Sequence, residues 1–415
     1  MASASEYNSR METPTPATSA ETTLARRHGV VLLLAYCGFI SLGIPDTVAG
    51  VAWPGVRETF RLPQSGLGLV FIALGCGYLT SSVFAGKLAQ MLGIGSLLVV
   101  STWLVALAML GNALAPIWPV FVASAVIWGL GSGAIDSGLN AYAARHFSAR
   151  HVNWLHAFYS LGATTGPLLM TTVLLRGNSW RMGYLLVAAV IAALGVAFLL
   201  TRRRWDAPTG PAGDAPESPV SVGQALARPL VWLQIAIFFV YTGLELMVGQ
   251  WAFTVLTESR DLSIDAAGLL VGGYFGSIGV GRVLLGAIAD RLGVDRLVRL
   301  SLVAAVLGTA LFAWGPASGS AVGLIVLGLG LAPVFPCLMS RTPQRLGTAY
   351  ATHAVGFQVA AATTGVALLP GRAGALAERT SLETIPLLAF ALALGLVALH
   401  ETILWHTGQP GSPRD

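Results

Sequence analysis

Apolar runs long enough to cross a bilayer recur along this whole chain, and they decide what it can fold into. A helix needs about 20 apolar residues to cross the hydrocarbon core. Twelve segments meet that need: 29–56, 66–86, 95–114, 117–142, 153–175, 182–200, 229–257, 266–288, 298–315, 319–340, 346–370 and 384–405. They are too long for barrel strands and lack the two-residue alternation of such strands. Inside lipid every backbone polar group must be satisfied within its own segment. The expectation is therefore an all-α integral membrane protein with twelve transmembrane helices.

Composition agrees. Of 415 residues, 55% are hydrophobic and 10% charged, where soluble chains carry about 25% charged residues. The 49 glycines suit membrane helices, whose backbones approach closely at small residues. The net charge of +5 reflects basic loops rather than a nucleic-acid partner. Cys37, Cys76 and Cys337 all fall in apolar segments without metal-ligand spacing, and read as small buried hydrophobes. The sequence contains no Walker loop, no helical His pair and no nucleophile elbow. It is thus expected to be no enzyme, to hold no metal or cofactor, and to draw on an ion gradient. Residues 1–25 are rich in Ser, Thr and Glu, without the apolar core of a cleavable signal peptide.

Residues 201–228, TRRRWDAPTGPAGDAPESPVSVGQALAR, combine an arginine cluster with many Pro and Gly, the signature of a linker. It divides the spans six and six. The expected organisation is a disordered cytoplasmic tail (1–28), a six-helix bundle (29–200), a cytoplasmic linker (201–228), a second six-helix bundle (229–406) and a tail (407–415). Loops on the linker side, with Lys87, Arg145, Arg150 and Arg202 to Arg204, hold about twice the Lys and Arg of the opposite loops. Such an excess marks the cytoplasmic side, so both termini are expected inside.

The halves repeat. GKLAQMLG (86–93) follows the second span and GAIADRLG (286–293) the eighth, and the same offset maps Gly68 onto Gly268. Parallel repetition of six-helix halves is the plan of the major facilitator superfamily. Gly286, Asp290, Arg291, Gly293 and Arg296 resemble that superfamily's cytoplasmic gating signature, in which an acid would cap or pair with a neighbouring helix end. The first copy has Gln90 in place of the acid; a plain charged loop is the alternative.

Three acids interrupt span interiors: Asp46, Asp136 and Glu245. A charge at mid-bilayer costs about 2.5–3.5 kcal/mol on insertion scales, so each demands a reason. Asp46 follows Pro45 in SLGIPDTVAG and shares a helix face with Gly50 and Trp53; an extramembrane turn is its bland alternative. Ser132, Asp136 and Asn140 form a polar stripe at four-residue spacing, which a structural hydrogen-bond network between helices would also explain. Glu245 lies one turn after Tyr241 and, with Trp53 and Trp251 as register, within a residue of the Asp46 equivalent. Asn153, His156 and Ser160 share a face of helix five, and His353 and Gln358 stand on helix eleven. A single base, Arg282, lies toward the cytoplasmic end of span eight. Trp53, Trp251, Tyr159, Phe158 and Phe357 could stack on a ligand, although most membrane-helix aromatics pack or anchor.

These patches resemble the fucose–proton symporter family. The matching residues are Asp46, DSGLN (Asp136, Asn140), NWLHAFYSLG (Asn153, His156, Phe158, Ser160, Gly162), YTGLE (Tyr241, Gly243, Glu245) and FPCLMS (Pro336, Ser340). The resemblance implies that Asp46 binds substrate hydroxyls and that Asp136 takes the proton. Helix four carries Asp where that family typically has Glu, and Glu245 and His156 stand where Gln is common. On this reading the chain is a proton-coupled symporter of a sugar or similar polyhydroxylated solute, acting as a monomer in a bacterial cell membrane. Proton coupling is expected from Asp136, Asp46 and Glu245, with sodium as the other candidate ion. Substrate contacts are expected from Asp46, Asn140, Asn153, His156, Tyr159, Glu245, Gln250, Trp251 and Gln358. The alternatives are a proton-driven drug or metabolite exporter and, less in keeping with the short tails, a membrane receptor.

Overall fold

The computed structural model describes residues 19–205 and 220–408. The first half runs α1 (Ser19–Phe60), α2 (Gly66–Leu92), α3 (Ile94–Leu114), α4 (Trp118–His146), α5 (Ala149–Leu175) and α6 (Trp180–Trp205). A short helix, α7 (Val222–Leu226), closes the linker. The second half runs α8 (Pro229–Thr254), α9 (Ile264–Leu292), α10 (Val294–Trp314), α11 (Ala317–Leu331), α12 (Val334–Leu346), α13 (Thr348–Arg379) and α14 (Thr384–Gly408). Among the described residues, twelve helical spans are long and apolar enough to cross a membrane, with α11 and α12 forming one of them. This is a multi-pass membrane protein.

Three boundaries differ from expectation. First, α1 starts at Ser19, inside the stretch read as a disordered tail, because SAETTLARRH holds good helix formers and no proline. Secondly, α6 runs through the arginines to Trp205. Trp205 is buried there against Tyr142 and Phe198, with ring centroids 5.0 and 5.6 Å away. Thirdly, the linker ends in a helix: the Ser221 hydroxyl accepts from the Gln224 N–H, and the Gln224 side chain returns to the Ser221 N–H. The span of α11 and α12 breaks at Ala332–Pro333, where proline supplies no N–H. After α8 the backbone continues as a π-helical turn, Val255–Ser259.

The sequence repeat is a structural repeat. Gly93 and Gly293 have φ of 77° and 80°, values that favour glycine. Each donates its N–H to the carbonyl four residues back, Ala89 and Ala289, at 3.0 Å. In both copies one helix thereby ends and the next begins without a spacer. Arg61 and Asp261, also offset by 200, both have φ of 53° after their long helices.

Glycines also set how the halves meet. A Cβ on Gly68 of α2 would lie 2.6 Å from the Gly371 Cα of α13. At the repeat-related seam, a Cβ on Gly268 of α9 would lie 1.9 Å from Thr171 Oγ1 of α5. These approaches lie away from the linker. There Arg57 of α1 pairs with Glu258 at 2.9 Å, Gln64 reaches Glu258 at 3.2 Å, and the Ser65 N–H reaches Glu378 at 3.3 Å. Toward the linker side, a Cβ on Gly86, Gly286 or Gly356 would meet nothing within 4 Å. Nearer the linker, Arg282 of α9 donates to Ser160 Oγ of α5 across the halves at 3.2 Å. The close glycine approaches and the Glu258 and Glu378 contacts thus seal the far side, while open space lies beside Gly86, Gly286 and Gly356.

Candidate functional site

Two glycine seams place the first-half acids. At the α1–α5 seam, a Cβ on Gly43 would sit 2.3 Å from the Tyr159 carbonyl oxygen, and one on Gly162 would sit 2.2 Å from that of Ile40. Backbones this close bring the Tyr159 hydroxyl onto Asp46 Oδ2 at 3.0 Å. At the α2–α4 seam, a Cβ on Gly129 would lie 2.0 Å from the Leu74 carbonyl oxygen and one on Gly133 2.4 Å from that of Tyr78. Tyr78 is thereby pressed against α4, where its hydroxyl donates to Asp136 Oδ2 at 2.7 Å. Asn140 Nδ2 donates to the other oxygen, Oδ1, at 2.9 Å. Asp46 and Asp136 are half-buried and within electrostatic reach of each other.

The second half contributes Glu245, buried on α8. Tyr241 donates to its Oε2, and Tyr274 donates to its backbone carbonyl at 2.9 Å. Arg282 of α9 faces Oε1 at 3.4 Å and reaches across to Ser160 Oγ of α5 at 3.2 Å. Tyr159 lies within electrostatic reach of Asp46, Glu245 and Arg282 together. Tyr159 thus stands between Asp46, which lies within reach of Asp136, and the Glu245–Arg282 pair of the second half.

His156 is exposed on α5, meets the Phe39 ring edge-on at 5.4 Å and lies within electrostatic reach of Arg282. Other expected residues fall elsewhere. Ser132 is buried and its hydroxyl has no partner among the described residues, so the polar stripe of α4 reduces to Asp136 and Asn140. Gln250 and Trp251 are fully buried in the sealed side. Gln250 Nε2 donates to the Asp46 carbonyl at 2.7 Å, and the Trp251 indole donates to the Pro370 carbonyl at 2.8 Å. Gln358 is fully buried in a triangle with Gln234 and Thr342. In this conformation Gln250, Trp251 and Gln358 tie helices together, and Gln250 Oε1 is buried without a partner among the described residues. His353 meets the Val220 carbonyl at 2.8 Å, tying α13 to the linker. The side chains of Asn153 and Asp290 lie outside the described residues.

At the α9–α10 junction, Arg291 and Arg296 are exposed, and the acid that pairs is Asp295. It holds Arg341 and Arg345 of α12 at 2.5 and 2.9 Å. A cleft between α5 and α6, lined by Thr165, Leu168, Thr172 and Arg176, contains none of the acids. Tyr78 escaped the sequence reading, although GCGYLTSS places it amid the small residues that mark a packing face.

Six helices repeated once, sealed on one side around mid-membrane ionisable groups, define a transporter and not an enzyme. A sequence profile of the Major Facilitator Superfamily matches residues 35–370 and 250–410. The chain belongs to that superfamily. Over 413 residues it is 26% identical to the 3-(3-hydroxy-phenyl)propionate transporter of Escherichia coli, covering 94% of this chain and 92% of that protein. It is 23% identical to bypass of stop codon protein 6 of Saccharomyces cerevisiae, over 85% of this chain and 78% of that one. Its fold is similar to a crystal structure of the nucleoside transporter NupG, with a TM-score of 0.75 at 14% identity, covering 91% of this chain and 99% of that one.

Proposed function

We propose that this transporter couples proton movement to the symport of a small polar solute, a sugar or similar polyhydroxylated compound, by alternating access. The observation that carries the reading is that Tyr159 bonds Asp46 and lies within electrostatic reach of Glu245 and Arg282 of the other half, with Asp136 within reach of Asp46. An acid carried through an occluded, low-dielectric state is cheaper neutral than charged. A proton taken up there and a solute bound beside it become coupled terms in one equilibrium. Asp136 takes the proton, because it is enclosed in an apolar span with no cation paired to it among the described residues; its two bonds come from a hydroxyl and an amide. Asp46 shares its solute-facing role with Tyr159, and Asn140 stands one turn beyond Asp136. Glu245 has a cation beside it and is the weakest of the three as a proton carrier.

The excess of basic residues supports a cytoplasmic linker side, and with that orientation the conformation opens inward. Rocking of the halves about the site would break the far-side seal and close the linker side. The superfamily relative named for a hydroxyphenylpropionate supports a small hydroxylated cargo. The test is uptake of labelled sugars, polyols and sugar acids by proteoliposomes under an imposed pH gradient. The gradient should accelerate uptake in the wild type and have no effect on the Asp136→Asn variant.

A further inference from the structure

Arg282 belongs neither to the far-side seal nor to the proton-carrying acids. Its guanidinium offers five N–H donors in a planar fork that matches a carboxylate. The bonds it makes are poor ones. Nη1 reaches Ser160 Oγ at 3.2 Å and Nη2 reaches Glu245 Oε1 at 3.4 Å, where charge-assisted bonds ordinarily measure about 2.7–2.9 Å. Glu245 does not meet the fork with both oxygens, because Tyr241 holds Oε2. The Arg282 side chain is 17% exposed, against 7% for Glu245. Tyr241 also lies within side-chain hydrogen-bonding reach of Arg282, so the cation is held between the halves by Ser160, Glu245 and Tyr241, with no carboxylate meeting its fork on both oxygens. Tyr159, which holds Asp46, neighbours Ser160 on α5 and lies within electrostatic reach of Arg282.

We propose that Arg282 anchors a carboxylate on the cargo, so that the solute is a hydroxylated monocarboxylate. Its carboxylate takes the fork, and its hydroxyls meet Tyr159 and Asp46. The proposal rests on the symport reading and narrows its substrate class. It also gives the proton a purpose. An anion beside ionised Asp46 and Asp136 is repelled, and protonating one of them relieves the repulsion. One proton and one carboxylate add no net charge to the cavity, so a full transport cycle moves no net charge across the membrane.

The test uses two acids and their neutral amides with the purified full-length protein: gluconate against gluconamide, and mandelate against mandelamide. Calorimetric titration reads binding. At least one acid should bind, and its amide should bind about tenfold or more weakly. Gluconate alone would mark a sugar acid, mandelate alone an aryl acid. Arg282→Gln leaves Glu245 buried without its cation, so the decisive variant is Arg282→Gln with Glu245→Gln, which removes the pair together. It should weaken the bound acid about ten- to a hundredfold and leave amide binding within about twofold. Equal binding of acid and amide, acid affinity retained in the double variant, or binding of neither acid would each overturn the proposal. Proton-driven uptake of gluconamide would overturn it while leaving the symport reading intact. Acid binding lost in the double variant, with uptake indifferent to a pH gradient, would uphold the anchor and remove the symport reading.

Discussion

Arg57 on α1 and Glu258 on the π-helical turn after α8 form an ion pair that crosses from one half of the molecule to the other. Arg57 Nη2 reaches both Glu258 oxygens, at 2.9 and 3.0 Å. Gln64 adds a third bond to the same carboxylate and is itself held by the Trp53 indole at 3.0 Å. The far-side seal therefore has a polar latch over the glycine seams.

Breaking that latch should favour the conformation open on the far side. With side chains 31% and 27% exposed, the pair contributes about 0.2–1 kcal/mol, up to about fivefold in the opening equilibrium. Thr171 is buried at the α5–α9 seam and its hydroxyl has no partner among the described residues, so Thr171→Cys is a benign reporter. In a background lacking Cys37, Cys76 and Cys337, an impermeant thiol reagent on the far side should label this cysteine faster in Arg57→Gln than with the latch intact. Unchanged labelling would remove the latch from the account.

The seams themselves predict opposite outcomes for two glycines of one helix. Gly68→Ala drives a methyl into the Gly371 Cα. Overpacking of this kind costs about 1–3 kcal/mol, and transport should slow because the sealed state is destabilised. Gly86→Ala meets open space and should gain about 0.5–1 kcal/mol from helix propensity. Thermal unfolding of the two variants in detergent checks the contrast.

A third prediction concerns pH. Outside the membrane spans, Glu383 accepts from Arg260 Nε at 3.0 Å and Nη2 at 2.5 Å, and from the Ser259 hydroxyl at 2.7 Å. Hydrogen bonding to Arg260 holds its carboxyl below the ordinary carboxylate value, outweighing the opposing effect of burial. A depressed folded-state value means that the stabilisation is fully present above the ordinary carboxylate pKa of about 4.3. It is lost as pH falls through the lower folded value. The Tm advantage of wild type over Glu383→Gln should hold constant from about pH 6 to 8 and shrink as pH falls below about 4, vanishing only below the lowered folded value. An advantage that persists in acid would show that the contribution is not ionic.

The spans, their number and their grouping were legible in the sequence because the bilayer imposes one length and one polarity on every helix. The repeat was legible through Gly93 and Gly293, whose positive φ ties residue type to position. Asp46, Asp136 and Glu245 stood out because a charge in an apolar run needs a cause. Their partners did not. Tyr78 and Tyr159 are ordinary membrane aromatics until the Gly129 and Gly43 seams fix which helix each one faces. Hydropathy likewise could not separate Gln250 and Gln358, polar residues that bond within the packing, from Asn140, which holds an acid. That distinction depends on the direction of each side chain within the bundle.

The central claim is that Asp136 carries the coupled proton. Its most direct test is solute flux into proteoliposomes with and without a pH gradient, for wild type and Asp136→Asn. The account predicts that a gradient acid on the far side accelerates wild-type uptake, while Asp136→Asn exchanges solute at a rate indifferent to the gradient. Wild-type flux that ignores the gradient, or full gradient coupling in Asp136→Asn, would contradict it.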